Sequence, residues 1–509
     1  MPYELIRRPI GTVSGLSDGA DGGRLLNLYS SAAVIPQESV VPVMVRGTPG
    51  YVNNSFDDSP DEQSRVLMAA VHPSYGNHIL VLTDDNLYVY VQTSSGPLDR
   101  VAKIPIPSEY NLTHDDDKPL RWATDGRIVA FITDSEIYAF DRAKVKEHID
   151  DPDSTEHVWV SITAPTPDDD SDDTDTEAWV DIVWIDGYFV LAAKGGQMFN
   201  SEIRQTTFDQ LDFARADVKP DGIVGMETLG QTIYVFGERS IEMWVNAGLP
   251  EFAFRRQKQV SYDVGCYSRE TITRNELAIH FLGSDLSWHS LAAGGRLQKI
   301  SNDTVDRVIR RDSGRGDHTF LSFQYTEEGH KFVGFQSKEG GQWVFDWNTR
   351  MWHERTSTKT EFIVGVVRSD TKVYCLISTH SAIYRISLEF DKHPFGGSGE
   401  AADQAIEREM ILPIIQLDQR RVRHTSFQAD IHYEGGGNPA LSLILGWSDD
   451  NKDTFVERAA RMWQRGIRSK WNNLGLSGSR GRNYRLRLSG TNGEVVILGA
   501  YIEAEELTD

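Results

Sequence analysis

Cysteine is almost missing from this chain: its 509 residues hold only Cys266 and Cys375. A disulfide scaffold is thereby excluded. With each cysteine inside an apolar stretch, two buried free thiols in a protein made in a reducing cytoplasm are expected. Long apolar runs are missing as well. No stretch approaches the roughly 18 to 20 apolar residues that cross a bilayer. The start, Met1-Pro-Tyr-Glu-Leu-Ile-Arg-Arg-Pro9, puts no apolar run behind its basic residues, so neither a secretory signal nor a membrane anchor is expected and the chain reads as soluble. The marks of catalysis are lacking too. The 14 histidines form no HExxH, there is no Ser/His/Asp signature, and no Walker-type phosphate loop occurs. No catalytic, cofactor-binding or metal site is therefore assigned, and the chain is expected not to be an enzyme.

Positive charge is scarce, with 52 Lys and Arg against 75 Asp and Glu and a net charge of −23. The deficit is uneven. Residues 401–509 carry 14 basic against 15 acidic side chains, which leaves 38 against 60 for residues 1–400. An acidic surface of that size repels nucleic acid, so sequence-specific recognition of DNA or RNA is not expected there. It would suit a surface that nucleic acid must pass without sticking.

What the chain has in abundance is one repeated pattern. Thr232-Ile-Tyr-Val-Phe236, the turn Gly237-Glu-Arg, and Ser240-Ile-Glu-Met-Trp244 read as a β-hairpin. Six further hairpins share the design, and the seven first strands end near Leu82, Ile132, Leu191, Phe236, Leu282, Phe335 and Ile377. The interval, about 40 to 60 residues, is close to the period of a propeller blade. Extra apolar strands such as Val66 to Val71 and Val101 to Ile106 complete four-stranded units. The fold class is therefore all-β, a β-propeller of six to eight blades with a smaller C-terminal antiparallel β domain; one or two large β-sandwiches are the bland alternative. Tyr88, Tyr138, Tyr234 and Tyr384 fall at strand positions and are expected to pack between blades.

Four segments follow. Residues 1–60 are an entry segment that could supply the strand closing the ring, 61–390 the propeller, 391–405 a Gly-rich linker, and 406–509 the C-terminal domain with a basic segment. The run Pro167 to Glu177 resembles a calcium loop only in charge, since it lacks the glycine an EF-hand needs, and reads as a solvated loop. Arg296 to Asn302 and Thr304 to Ile309 look like a last strand followed by a short helix.

From Phe455 to Leu488 nine basic residues, Arg458, Arg461, Arg465, Arg468, Lys470, Arg480, Arg482, Arg485 and Arg487, face the single acid Glu457. The spacing of Arg461, Arg465 and Arg468 would align them on a helix, and Arg485 and Arg487 share one face of a strand. A docking face for an acidic neighbouring protein, a DNA-facing patch and a solvated rim compete as explanations. The nine are assigned to a protein interface, because the propeller is acidic enough to be that neighbour in an oligomer. Two other classes stay open. Ser448 to Phe455 is a degenerate copy of the Asp-box of propeller glycosidases, but that box is a turn, and no pair of carboxylates or Arg triad stands out for sugar chemistry. A propeller binding peptides or glycans through exposed aromatics is the other.

Gly22-Gly-Arg-Leu-Leu-Asn-Leu-Tyr29 with the Thr48-Pro-Gly50 turn, Ile241 to Gly248, Phe252-Ala-Phe254, Val264-Gly-Cys266, Phe281 to Asp285 and Arg296 to Val305 form an assembly with a known counterpart. It resembles the packaged DNA stabilization proteins, the tail hub or nozzle proteins of short-tailed phages related to P22. Trp447 to Asp450, Lys470 to Gly475 and Arg480 to Arg485 are similar to an end domain of phage tail proteins of that kind. The resemblance implies a β-propeller with appended domains, with six copies forming a tube below the portal and its adaptor. It implies as partners the chain itself, the portal adaptor, tail fibre, spike or needle proteins, and packaged double-stranded DNA held without sequence-specific binding. It also implies a place in the virion tail after synthesis in the host cytoplasm. The acidic insert at Asp168 to Glu177 and the long entry segment depart from that pattern.

Overall fold

The computed structural model describes residues 4–6, 24–32, 43–53, 66–72, 75–92, 98–110, 112, 118–133, 136–151, 157–167, 179–216, 219, 221–257, 262–314, 319–337, 341–355, 363–369, 372–377, 383–388, 406–412, 414, 421–435, 441–449, 454–475, 478–489 and 493–507. The runs of β-branched and aromatic residues form strands, and the short Gly, Asp and Ser turns reverse them. In the clearest hairpin, Thr232–Gly237 pairs antiparallel with Ile241–Asn246 in the register Thr232↔Val245 to Phe236↔Ile241. Its turn is tied by the Asp221 carboxylate, which accepts the Arg239 N–H at 2.7 Å.

Among the described residues seven such units form a ring of four-stranded antiparallel sheets, numbered here as blades 1 to 7. Their first strands are Val66–His72, Arg121–Thr124, Trp179–Ile185, Ile223–Leu229, Thr273–Arg274, Phe320–Glu327 and Ile363–Ser369. The hydrophobic core is not central. It is divided into seven clusters, one at each seam between neighbouring blades. Leu82 meets Phe131 at the seam of blades 1 and 2, and Ala139 meets Leu191 at the next. Val190 with Val235, Phe236 with Phe281, and Trp288 with Phe335 fill the following three. Phe323 with Cys375 and Tyr374 with Val81 close the circle. Middle strands are thus covered on both faces, which is why Ile137–Asp141, Gln197–Ser201 and Ala278–Leu282 are buried at every position, polar residues such as Gln197, Asn200 and His280 included. Tyr88, Tyr138, Tyr234 and Tyr384 are all buried in these seams.

Blade 7 takes its fourth strand from the other end of the chain. Gly50–Asn53 pairs antiparallel with Ile383–Ser387, from Gly50↔Ser387 to Asn53↔Tyr384, so the ring is held shut by the backbone as well as by its seams. A helix between blades 5 and 6, Asp303–Ser313, begins where Asn302 accepts the N–H groups of Thr304 and Val305 and ends with Arg310 and Arg311 in its last turn. Acids at the start and bases at the end suit the helix dipole, and Val305 and Ile309 fill the seam below.

The second body is a two-sheet sandwich built from both ends of the chain. One sheet runs Leu28–Ala32, Val43–Gly47, Gly493–Glu506, Val422–Gly435 and Ser469–Asn472, with Glu4–Ile6 paired to Gly493–Glu506. The other runs Arg24–Leu26, Glu407–Ile411, Arg482–Ser489, Ser442–Asp449 and the short edge pieces Val456–Glu457 and Arg461–Met462. Leu25, Leu28, Val45, Phe427, Leu445, Trp471, Tyr484 and Leu486 share one core between them. The entry segment therefore does more than close the ring: its strands at 4–6, 24–26, 28–32 and 43–47 lie in the sandwich. Arg24–Leu26 also pairs in parallel with the last strand of blade 6 at Leu26↔Glu354, so one continuous sheet joins ring and sandwich. The reason is chemical rather than local. Leu25 and Leu28 share their core with Val45 and with residues far along the chain, Met410 and Leu445 among them.

Candidate functional site: a blocked axis and a basic arm

The first strands of the blades surround the propeller axis and leave a cavity of about 430 Å³ lined by Met68, Trp122, Val183, Thr228, Thr273 and Phe323 among others. Ion pairs cross it. Arg121 of blade 2 reaches Glu270, just before blade 5, and Arg269 reaches Asp181 of blade 3. Asp181 also accepts the Met226 N–H of blade 4 at 2.7 Å, and Ser322 of blade 6 donates to the Glu270 carbonyl at 3.1 Å. Burial pulls the Arg121 guanidinium below its usual value against the attraction of Glu270. Burial pushes Glu270 up, but Arg121 and then Lys118 and Arg269 outweigh it and hold the carboxyl below its usual range. The cost of taking both partners out of water offsets much of the attraction in buried pairs of this kind. Duplex DNA, whose major groove alone is about 12 Å wide, has no path along this axis.

The basic segment divides by environment. Arg482 is a core residue: 1% of its side chain is exposed, Nε donates to Asp449 at 2.6 Å, Nη2 donates to the second Asp449 oxygen at 2.9 Å, and Nη1 donates to the Leu474 carbonyl at 2.7 Å. Asp449, the second residue of the degenerate Asp-box, is thus occupied as its counterion. Arg485 and Arg487 converge on Glu457 at 2.5 and 2.6 Å, and Lys470 bonds Glu503 at 3.0 Å. Arg458 donates to the Asn473 carbonyl and lies 5.4 Å from the centre of the Trp447 ring, and Arg461 donates to the Lys470 carbonyl at 2.7 Å. Arg465, Arg468 and Arg480 are exposed and make no ion pair among the described residues.

The helix expected at Arg461, Arg465 and Arg468 is absent. Arg461 lies in the edge piece Arg461–Met462, and Arg465 sits in a turn where the Ile467 N–H donates to the Gln464 carbonyl. Gly466 takes φ +78° there, a value a helix cannot use. Trp463 pins the turn to the sandwich: its indole N–H donates to the Ile431 carbonyl at 3.1 Å and its ring stands edge-on to Tyr433. The result is an arm whose apolar residues Val456, Met462 and Ile467 are more than half exposed. That feature escaped the reading of the sequence, although its signal was there in three apolar side chains interspersed with arginines.

Cys266 and Cys375 are free and buried, and burial pushes the Cys266 thiol up to about 12. Among the described residues no cluster of three or more His, Cys, Asp or Glu could hold a metal, and the acidic run at 168–177 lies outside them. No helix of the described residues is long and apolar enough to cross a membrane.

No curated protein matches the sequence. Solved structures similar to it include the RRP9 WD40 repeats, with 11% identity over 67% of this chain and 99% of that one at a TM-score of 0.39. U3-55K shares 11% identity over 66% and 98% at 0.39, and the N-terminal domain of Nup159 shares 9% over 67% and 95% at 0.37. A family model described as bacteriophage P22 Gp10, beta-propeller, matches residues 76–350, more than half of the chain and nearly all of the ring from blade 1 to blade 6. With its seven seams closed and the Val264-Gly-Cys266 and Phe281 to Asp285 passages inside the matched span, the chain belongs to the family of the P22 Gp10 β-propeller, a phage structural family.

Proposed function

We propose that this chain is a tail hub or nozzle subunit that extends the DNA exit channel below the portal and its adaptor, retains packaged DNA and lets it out. The single observation that carries the reading is the family match together with what it leaves to explain: the propeller's own axis is crossed by Arg121–Glu270 and Arg269–Asp181. A chain that serves as a DNA conduit must then wall an opening between copies. The surplus of acids over residues 1–400 gives such a wall low affinity for phosphate, so that adhesion does not slow ejection. Six copies around the opening, with the adaptor above and fibre, spike or needle proteins around or below, complete the reading. Quantitative mass spectrometry of purified virions tests it. A copy number about half that of a twelve-subunit portal supports it, and absence of the chain from the particle overturns it.

A further inference from the structure

Two exposed patches of matching character lie far apart on the same chain. The arm of the sandwich presents Ile467, 60% exposed, between Arg465 and Arg468. The outer edge of blades 3 and 4 presents Leu211, 75% exposed, with Ile203 exposed on the turn before that strand and Leu249 on the blade 4 loop. Around these apolar residues stand carboxylates: Asp209 and Asp212 on the last strand of blade 3, and Glu251 on the blade 4 loop. That loop is fastened to blade 3, where the Asn200 side chain accepts the Ala253 N–H at 2.9 Å. Burial and then the neighbouring Asp209, Glu251 and Glu202 push the Asp212 carboxyl up, which places these acids close enough to act on one another.

The positions of the patches matter as much as their charges. The sandwich leaves the ring at blade 6 through Leu26↔Glu354, and blade 3 lies across a seven-membered ring from blade 6. One molecule therefore cannot bring its arm to its own acidic edge, while a neighbour can. A contact between two different surfaces is head to tail and repeats from copy to copy until the ring closes.

We propose that the Arg465–Arg468 arm of one copy docks on the acidic, apolar outer edge of blades 3 and 4 of the next copy. This rests on the reading of the chain as a tail component present in several copies, and it names the surfaces that reading leaves open. Apolar residues at the centre and opposite charges at the rim are the composition of a specific protein contact, in which the charges fix partner and register. The occupant is a second copy because the complement of each patch is on the chain itself.

The test uses two full-length double variants, one with Arg465→Glu and Arg468→Glu, the other with Asp209→Lys and Glu251→Lys. All four positions are exposed, so the fold should survive. Self-association is read by sedimentation velocity over a concentration series and by copies incorporated per particle. Each variant alone should associate about tenfold or more weaker than the parent. A one-to-one mixture should restore assembly, because each reversed arm then meets a reversed edge. Failure of the mixture to recover, or unchanged association of the single variants, overturns the proposal while the tail reading stands. Loss of duplex DNA binding without loss of association would make the arm a DNA contact and also overturn it. A parent chain that neither associates nor enters particles overturns both.

Discussion

The ring and the sandwich are made of the same strands and turns but are assembled from the chain in different ways. Within each of the first six blades every strand bonds to one that lies next to it in sequence, as in Val66–His72, Tyr75–Thr83, Asn86–Gln92 and Leu98–Pro105. The sandwich takes strands from residues 4–47 and 407–506, with the whole ring between them. Its central ladder, Val422–Gly435 on Gly493–Glu506, lies within the C-terminal part of the chain, but Leu25, Leu28 and Val45 arrive from the far end. Long loops must close before those contacts reward the closure. The ring is thus a sum of local units joined at seams, whereas the sandwich depends on the ring to bring together two ends of the chain, with four of its twelve described strands coming from before the ring.

The harshest test of that difference is to cut the entry segment. Removing residues 1–47 takes strands from both sandwich sheets but leaves Gly50–Asn53 to close blade 7. The sandwich should become sensitive to protease while the ring stays resistant. Removing residues 1–53 should open the ring as well. Equal loss of both regions in the shorter deletion would contradict the account.

Single substitutions should separate the regions more gently. Arg482→Ala strands the Asp449 carboxylate, and breaking a buried pair from one side costs about 3–5 kcal/mol. Trp288→Ala empties the seam of blades 5 and 6 at a similar cost of about 3–5 kcal/mol. In denaturant the first should lower only the transition of the sandwich and the second only that of the ring. Gly265→Ala should cost about 1–3 kcal/mol in the ring, because an added Cβ would meet the backbone of Glu238 and Arg239.

How much of this the sequence disclosed follows the same division. The hairpins were legible because a short apolar or aromatic run and its turn sit side by side, and a strand followed by a short helix was legible where Arg296–Lys299 and Asp303–Ser313 lie. Seven hairpins gave the blade count its range, and the seams narrow it to seven. The destination of Arg24–Leu26 was hidden, since nothing near Leu25 announces Met410. Among the basic residues, charge alone could not tell Arg482, a core counterion, from Arg468, an exposed one. That distinction depends on Asp449 lying opposite in register at Asp449↔Arg482.

Proton linkage should draw a smaller contrast. Burial, then the nearby Arg482, pulls the His424 ring in the sandwich from 6.5 down to about 4. Below 6.5 the unfolded chain takes up a proton that the folded one refuses, so sandwich stability should fall as pH drops through that window. Burial pushes Glu327 of blade 6 up from 4.5 to about 7. There the folded chain holds the proton longer, so stability should fall as pH rises from 4.5 to 7 and level off above. Denaturation at several pH values should show opposite slopes, flattened by His424→Gln and Glu327→Gln respectively.

Cryo-electron microscopy of the virion tail addresses the central claim most directly. The account predicts copies of this chain around an opening wide enough for duplex DNA, acidic blade faces turned toward it, and every propeller axis blocked by Arg121–Glu270 and Arg269–Asp181. DNA density threading a propeller's own axis, or an opening walled by the basic arms, would contradict it.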